Sequence, residues 1–130
     1  MGRMEPGVPY RTMWRMPNGI VLQLHDRRLH GTVVLDERHR GAPGFAASGA
    51  VTSLLDEVLG TAIAPLEVTV ATTRLEVDYL APVPLATTLA ITTWITHDAG
   101  RHLFAAAELR TTGGVVAQAT GTFLARPPMD

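Results

Sequence analysis

Apolar side chains recur along this chain with two different periods, and the change of period divides it. Gly19 to Leu24 and Arg28 to Leu35 are short β-compatible runs separated by the polar His25-Asp26-Arg27, which reads as a hairpin connection. From Asp36 to Phe45 the chain is charged and then rich in Gly and Pro (Gly41, Pro43, Gly44), so regular structure stops. Ala50, Val51, Leu54, Leu55, Val58, Leu59 and Ala62 then recur at i, i+3, i+4 spacing. That spacing predicts a helix from about Ser48 to Ala64, with Ser48 as N-cap and Pro65 closing it. Its wide apolar stripe and its small residues (Ala50, Gly60, Ala62, Ala64) suit a central helix wrapped by a sheet.

Beyond Pro65 the period becomes two. Leu75, Val77 and Tyr79 alternate with Arg74, Glu76 and Asp78, and Leu85, Leu89, Ile91 and Ile95 alternate with Thr88, Thr92 and Thr96, the two strands being broken by Pro82-Val83-Pro84. Leu103, Ala105, Ala107 and Leu109 mark another strand, and Val115 to Leu124 the last, with turns at Asp98-Ala99-Gly100 and Thr112-Gly113-Gly114. Two short strands, one buried helix and a four-strand antiparallel meander make an α+β arrangement. The expected organisation is an N-terminal extension over 1–18, one domain over 19–126 and a C-terminal tail over 127–130. One helix covers one face of such a sheet, and residues such as Trp94 share the opposite register, so the open surface and sheet edge call for a partner or a ligand. Self-association is the economical answer.

Composition narrows the function. At 130 residues and 46% hydrophobic the chain holds one core. A net charge of −1 offers no broad basic surface, so nucleic acid is a poor partner and a small or hydrophobic ligand a better one. The absence of cysteine removes disulfides, thiolate nucleophiles and cysteine metal sites, and permits a cytoplasmic location. Met1 to Pro17 lacks a continuous apolar stretch, and no segment approaches bilayer-spanning length, so a soluble protein with no membrane partner is expected. The basic residues are all arginine, which reflects either a GC-rich genome or a preference for planar, bidentate anion contacts.

The helix carries Asp56-Glu57 inside an otherwise apolar stretch. At about 100° per residue Asp56 aligns with Gly49, Thr52, Ser53 and Gly60, at the margin of the apolar stripe. There it is either a solvated acid or a partly desolvated base. The free N–H groups around Ser48 and Gly49 can receive a developing oxyanion, unless the Ser48 side chain simply caps them. Ser48 and Asp56 lie about 12 Å apart along the axis at 1.5 Å per residue, so one carbonyl cannot touch both on one helix. Joint action on one carbonyl requires the donor from one subunit and the carboxylate from another, with two helices antiparallel across an interface.

Two segments resemble the hotdog superfamily, and within it the PaaI-like branch of the 4-hydroxybenzoyl-CoA-type thioesterases. His39-Arg40-Gly41-Ala42-Pro43-Gly44-Phe45-Ala46-Ala47-Ser48-Gly49 followed by Leu54-Leu55-Asp56-Glu57 is similar to H-x-G-x-P-G-F-x-H-G-G then L-x-D-E. Val77-Asp78-Tyr79-Leu80-Ala81-Pro82-Val83-Pro84 is similar to V-x-Y-x-x-P-x-P. The resemblance covers roughly Leu24 to Leu124 and implies a hotdog fold, an antiparallel sheet around one central helix. It places Asp56 at the catalytic carboxylate, as nucleophile or base, and Thr72 at the hydroxyl that orients water. Thr72 shares its alternation with Arg74, Glu76 and Asp78 and Thr73 shares the apolar one, so either a bulge restores Thr72 or Thr73 substitutes. His39 matches the first histidine of the loop, or is an ordinary loop residue. Phe45 and Ala47 fall beside the substrate, and Arg101, with Arg74 and Arg110 as further candidates, falls where a basic residue meets CoA phosphates. The departure is Ala47-Ser48 in place of His-Gly, which removes an imidazole while leaving the Ser48 backbone N–H.

The resemblance therefore implies hydrolysis of an acyl-CoA or carrier-bound acyl thioester by a homodimer or dimer of dimers. No metal and no cofactor is called for, CoA entering only as part of the substrate. The missing histidine keeps two other outcomes open: a non-hydrolytic reaction in the same cavity (isomerisation, dehydration or cyclisation), and acyl binding without turnover. A hydratase is disfavoured, since no Asp with a His five residues on stands in a short loop.

Overall fold

The computed structural model describes residues 12–126. Strands β1 (Met13–Arg15), β2 (Val21–His25) and β3 (Arg28–Val34) precede helix α1 (Ser48–Ile63), and β4 (Val70–Tyr79), β5 (Thr88–Ala99), β6 (His102–Thr111) and β7 (Gly114–Ala125) follow it. The strands form one antiparallel sheet in the order β1-β2-β3-β5-β6-β7-β4, with α1 packed on β5, β6 and β7. This is the hotdog arrangement. The β2–β3 hairpin turns at Asp26 and Arg27, whose φ values of 54° and 67° are those of a two-residue turn matched to strand twist.

Three local expectations need correction. The strands after the helix do not form a simple meander: β4 pairs with β7 at the far edge, while β5 lies beside β3. The proline-containing link between β4 and β5 is too long for a hairpin, and its backbone is bonded elsewhere, to the loop before α1. A short edge strand, β1, brings buried Trp14 and Met16 into the core without a periodic signal. Ser48 is the first helical residue rather than the cap: Ala47, extended at φ −66° and ψ 145°, is the N-cap and offers no side-chain bond.

The core gathers Val51, Leu54, Leu55, Val58, Leu59, Ala62 and Ile63 of α1 against Leu89, Ile91, Leu103, Leu109 and Phe123 of the sheet. Gly121 permits the close approach. A Cβ there would stand 3.0 Å from the Phe123 ring and 3.2 Å from Leu59 Cδ1. By length and apolarity alone the 19-residue run Ser48–Leu66 reaches membrane-spanning size, contrary to the expectation for every segment, but Val51, Leu54, Leu55, Val58, Leu59, Ala62 and Ile63 within it are buried in the core. Among the described residues, the outer edge of β4, whose residues are mostly exposed, and the helix face opposite the sheet are left open.

Candidate functional site

The loop before α1 is built to deliver the helix start to one place. A short 3-10 turn at Glu37–His39 is closed by a capping box: Asp36 accepts from Arg38 N at 3.0 Å, and His39 Nδ1 accepts from Asp36 N at 3.3 Å. Side-chain hydrogen bonds from the Arg38 guanidinium, then the Arg38 amide, hold the Asp36 carboxyl below its ordinary range. A lowered carboxylate stabilises the loop above its unfolded pKa and loses that contribution as the pH falls through the folded value, so the box is intact at neutral pH. His39 O then accepts from Ala47 N at 2.7 Å. Gly41 is required by this approach, since a Cβ there would meet Ala47 Cα at 2.9 Å.

The two quoted motifs are one construction. Ala46 N donates to Val83 O at 2.8 Å, Leu85 N to Gly44 O at 3.0 Å, and Phe45 bridges Pro84. The Pro82-Val83-Pro84 segment thus clamps the Gly-Pro loop from the other side. The prolines suit this place because the segment runs outside the sheet ladder and needs few N–H donors of its own.

Ala47 O accepts from Ala50 N and Val51 N, while the amides of Ser48 and Gly49 meet no acceptor among the described residues. Both residues are exposed. With no side-chain cap, two N–H groups of the first turn point outward and carry its partial positive charge. Tyr79, at the end of β4, reaches this turn: its hydroxyl donates to Ser48 O at 3.1 Å and is hydrogen-bonded to the Thr52 hydroxyl. Ser48, Val51 and Tyr79 share a cleft with Ala46 and the Leu80–Val83 link.

Two turns further along, Asp56 lies on the face of α1 away from the sheet, in a stripe with Gly49, Ser53 and Gly60. It is exposed, so the partial desolvation considered from its position is not present within one chain. No bulky side chain shields it: a Cβ at Gly49 or Gly60 would meet nothing within 4 Å. The neighbouring Glu57 is half-buried on another side of the helix, bonded to Asn18 Nδ2 at 3.3 Å, and lines a cavity of about 690 Å³ between α1 and β3. His39 lines that cavity too, together with Ala50, Ser53 and Leu54 of α1.

The register of β4 sets the two threonines apart. Its register against β7 shifts between Thr72 and Arg74, so Thr73 is the bulged residue and its hydroxyl is bonded to Thr122 O at 3.1 Å. Thr72 then pairs with Phe123 and joins Leu75, Val77 and Tyr79 on the face toward the helix. Phe45 stays 40% exposed beside the clamp. Arg101 lies elsewhere: its carbonyl accepts from Ala125 N near the start of β4, whereas the helix start sits at the end of β4, about 30 Å of strand away at 3.3 Å per residue. Arg74 and Arg110 are paired with Glu76 and Glu108. Within one chain, then, the structure joins the loop, the helix amides and Tyr79, and leaves Asp56 and Arg101 apart from them. No cluster of three metal-ligating side chains occurs among the described residues.

Comparison with known proteins decides the family. A sequence profile described as the thioesterase superfamily matches residues 44–125, more than half of the chain and all of α1, β4 and the three strands after it. The chain belongs to the thioesterase superfamily. It is 31% identical over 91 residues to the acyl-coenzyme A thioesterase THEM4 of Rattus norvegicus, an alignment covering 68% of this chain and 39% of that one. Among solved structures, a thioesterase superfamily protein at 35% identity and TM-score 0.74 is covered over 82% of this chain and 53% of its own. A hypothetical thioesterase of Streptococcus pneumoniae TIGR4, solved with coenzyme A, shares the fold at TM-score 0.76 and 18% identity, over 87% of this chain and 90% of that one. This superfamily chain thus spans about two fifths of the curated relative and about half of the 35% identical structure.

The sequence alone gives Tyr79 no role beyond strand alternation, whereas in the fold it meets the first turn of α1. Its signal was in plain view as the aromatic of the second motif. The Asn18–Glu57 pair had no signal, because the two positions are far apart in the chain and neither belongs to a periodic polar pattern.

Proposed function

We propose that this chain hydrolyses the thioester bond of an acyl-CoA or carrier-bound acyl substrate in a site shared by two copies. The observation that carries the reading is the pair of acceptor-free amides at Ser48 and Gly49 on the same helix as an exposed carboxylate, Asp56, about 12 Å further along at 1.5 Å rise per residue. Asp56 of one copy takes a proton from water as it adds to the carbonyl carbon. The amides of the other copy hold the oxyanion until the C–S bond breaks and the thiolate recovers the proton. Thr72, on the helix-facing side of β4, orients the water. The match to an acyl-coenzyme A thioesterase supports the substrate class.

Sharing follows from the open surfaces. The unpaired edge of β4 is the natural line for a second copy, because a long edge left bare invites strand addition. Pairing there sets the helices side by side and antiparallel, and shields Asp56 from water. Two such dimers stacked together are the other form compatible with the site.

Ala47 favours a second reading. With a methyl group where the motif has an imidazole, one polar contact to the thioester, worth about 0.5–1.5 kcal/mol as a neutral hydrogen bond, is gone. The alternatives are a proton-transfer reaction at Asp56 without thioester cleavage, and acyl binding without turnover. A panel of acyl-CoA thioesters with free-thiol detection separates these: thiol release is expected from at least one, and none from any would sink the hydrolase reading.

A further inference from the structure

We propose that Tyr79 is a positioning residue for the oxyanion amides, an inference that rests on the thioester-hydrolase reading of this site. Its hydroxyl donates to Ser48 O at 3.1 Å and, its one proton being spent there, accepts from the Thr52 hydroxyl. The bond therefore comes on top of the intrahelical bond that this carbonyl receives from the next turn.

The Ser48 carbonyl and the Gly49 N–H belong to one peptide unit, which is planar. Fixing the carbonyl fixes the direction of the N–H at its other end. Glycine gives this unit more rotational freedom than any other residue would, and Ala47 provides no side-chain cap to restrain the turn. Tyr79 supplies the missing restraint from outside the helix. It is itself held in the sheet, paired with Ala117, while Leu80 N and Ala81 N both donate to Val116 O. A hydrogen bond to the carbonyl also polarises the peptide, so the same N–H becomes a stronger donor.

Through Tyr79 the last residue of edge strand β4 is joined to the first turn of α1. Any partner that orders the β4 edge thereby orders the amides. Thr52, one helical turn beyond Ser48, is the far end of this relay and acts only through the phenol.

The test uses the full chain. Tyr79→Phe is expected to lower kcat about tenfold with KM within about twofold of the parent, the scale of one lost hydrogen bond. Hydrogen exchange at the Ala50 and Val51 amides, which bond to Ala47 O, should rise about tenfold on the same scale while β6 and β7 are unchanged. Thr52→Ser keeps the relay and should match the parent; Thr52→Val added to Tyr79→Phe should cost little more, because the two act as one unit. Parent-like kcat in Tyr79→Phe, or unchanged exchange at Ala50 and Val51, overturns the proposal. So does a rise in exchange across the whole sheet, which would mark a general loss of stability. If the parent releases no thiol the hydrolase reading fails by itself, and Tyr79 is then judged on exchange alone, where an unchanged helix start overturns its role.

Discussion

Asp56→Asn is expected to reduce kcat/KM for thiol release by about a hundredfold to ten-thousandfold, the span that a positioned general base contributes. The substitution keeps shape and removes only the ability to take a proton. Because the side chain is exposed within one chain and makes no hydrogen bond among the described residues, its loss should leave the folding stability of each chain within about 0.5 kcal/mol of the parent. A fall in activity at unchanged stability is therefore chemical in origin. Activity retained within about threefold would show that Asp56 takes no part in the rate, against that expected span. The adjacent Glu57 is an internal comparison: it is bonded to Asn18 and belongs to the cavity beside β3, so it does not substitute for its neighbour.

The second large effect is expected at the helix start. Ser48→Pro removes one amide donor and almost nothing else. Position 48 is the first helical residue, where proline is favoured, and Ala47 already has the extended backbone that a following proline demands. The helix should form as before, so melting should stay near the parent while kcat falls about a hundredfold to a thousandfold, the cost of one oxyanion donor. Ser48→Ala keeps the N–H and loses no cap, because the Ser48 side chain provides none; it should turn over like the parent. If both variants were equally impaired, the hydroxyl rather than the amide would be the active group. If neither were, the oxyanion would be held elsewhere.

The elements that were legible in the sequence are those with a local period. Val51, Leu55, Val58, Leu59 and Ala62 announced α1 because a helix repeats its buried face every few residues, and Leu75, Val77 and Tyr79 announced β4 for the matching reason. Strand order was not legible: nothing in the alternation of β4 says that it pairs with β7 and not β5, since pairing is settled by where the Leu80–Thr87 link is bonded. Trp14 escaped notice because three residues are too few to show a period. The bulge at Thr73 was visible only as a conflict between its register and that of Thr72, which the structure settles by adding one residue to the strand.

For the site, the residues with a chemical identity of their own were legible and the contacts between distant residues were not. Asp56 stood out as an acid in an apolar helix. The clamp of Val83 and Leu85 on Gly44 and Ala46, and the reach of Tyr79 to Ser48, depend on segments more than thirty residues apart meeting in space. The capping role assigned to Ser48 missed by one residue, because the extended conformation of Ala47 is imposed by the loop bond to His39 O rather than by any side chain.

The central claim is that one reaction centre takes its amides from one chain and its carboxylate from the other, and subunit mixing tests it most directly. Asp56→Asn and Ser48→Pro are each prepared as inactive proteins, mixed in equal amounts, allowed to exchange subunits and assayed for thiol release. A shared site predicts that mixed dimers regain one intact centre of two. With random exchange of subunits, about half of the dimers are mixed, so activity should recover to about a quarter of the parent. Recovery no greater than the sum of the two separate variants, under conditions where exchange is shown to be complete, would contradict a site shared between chains.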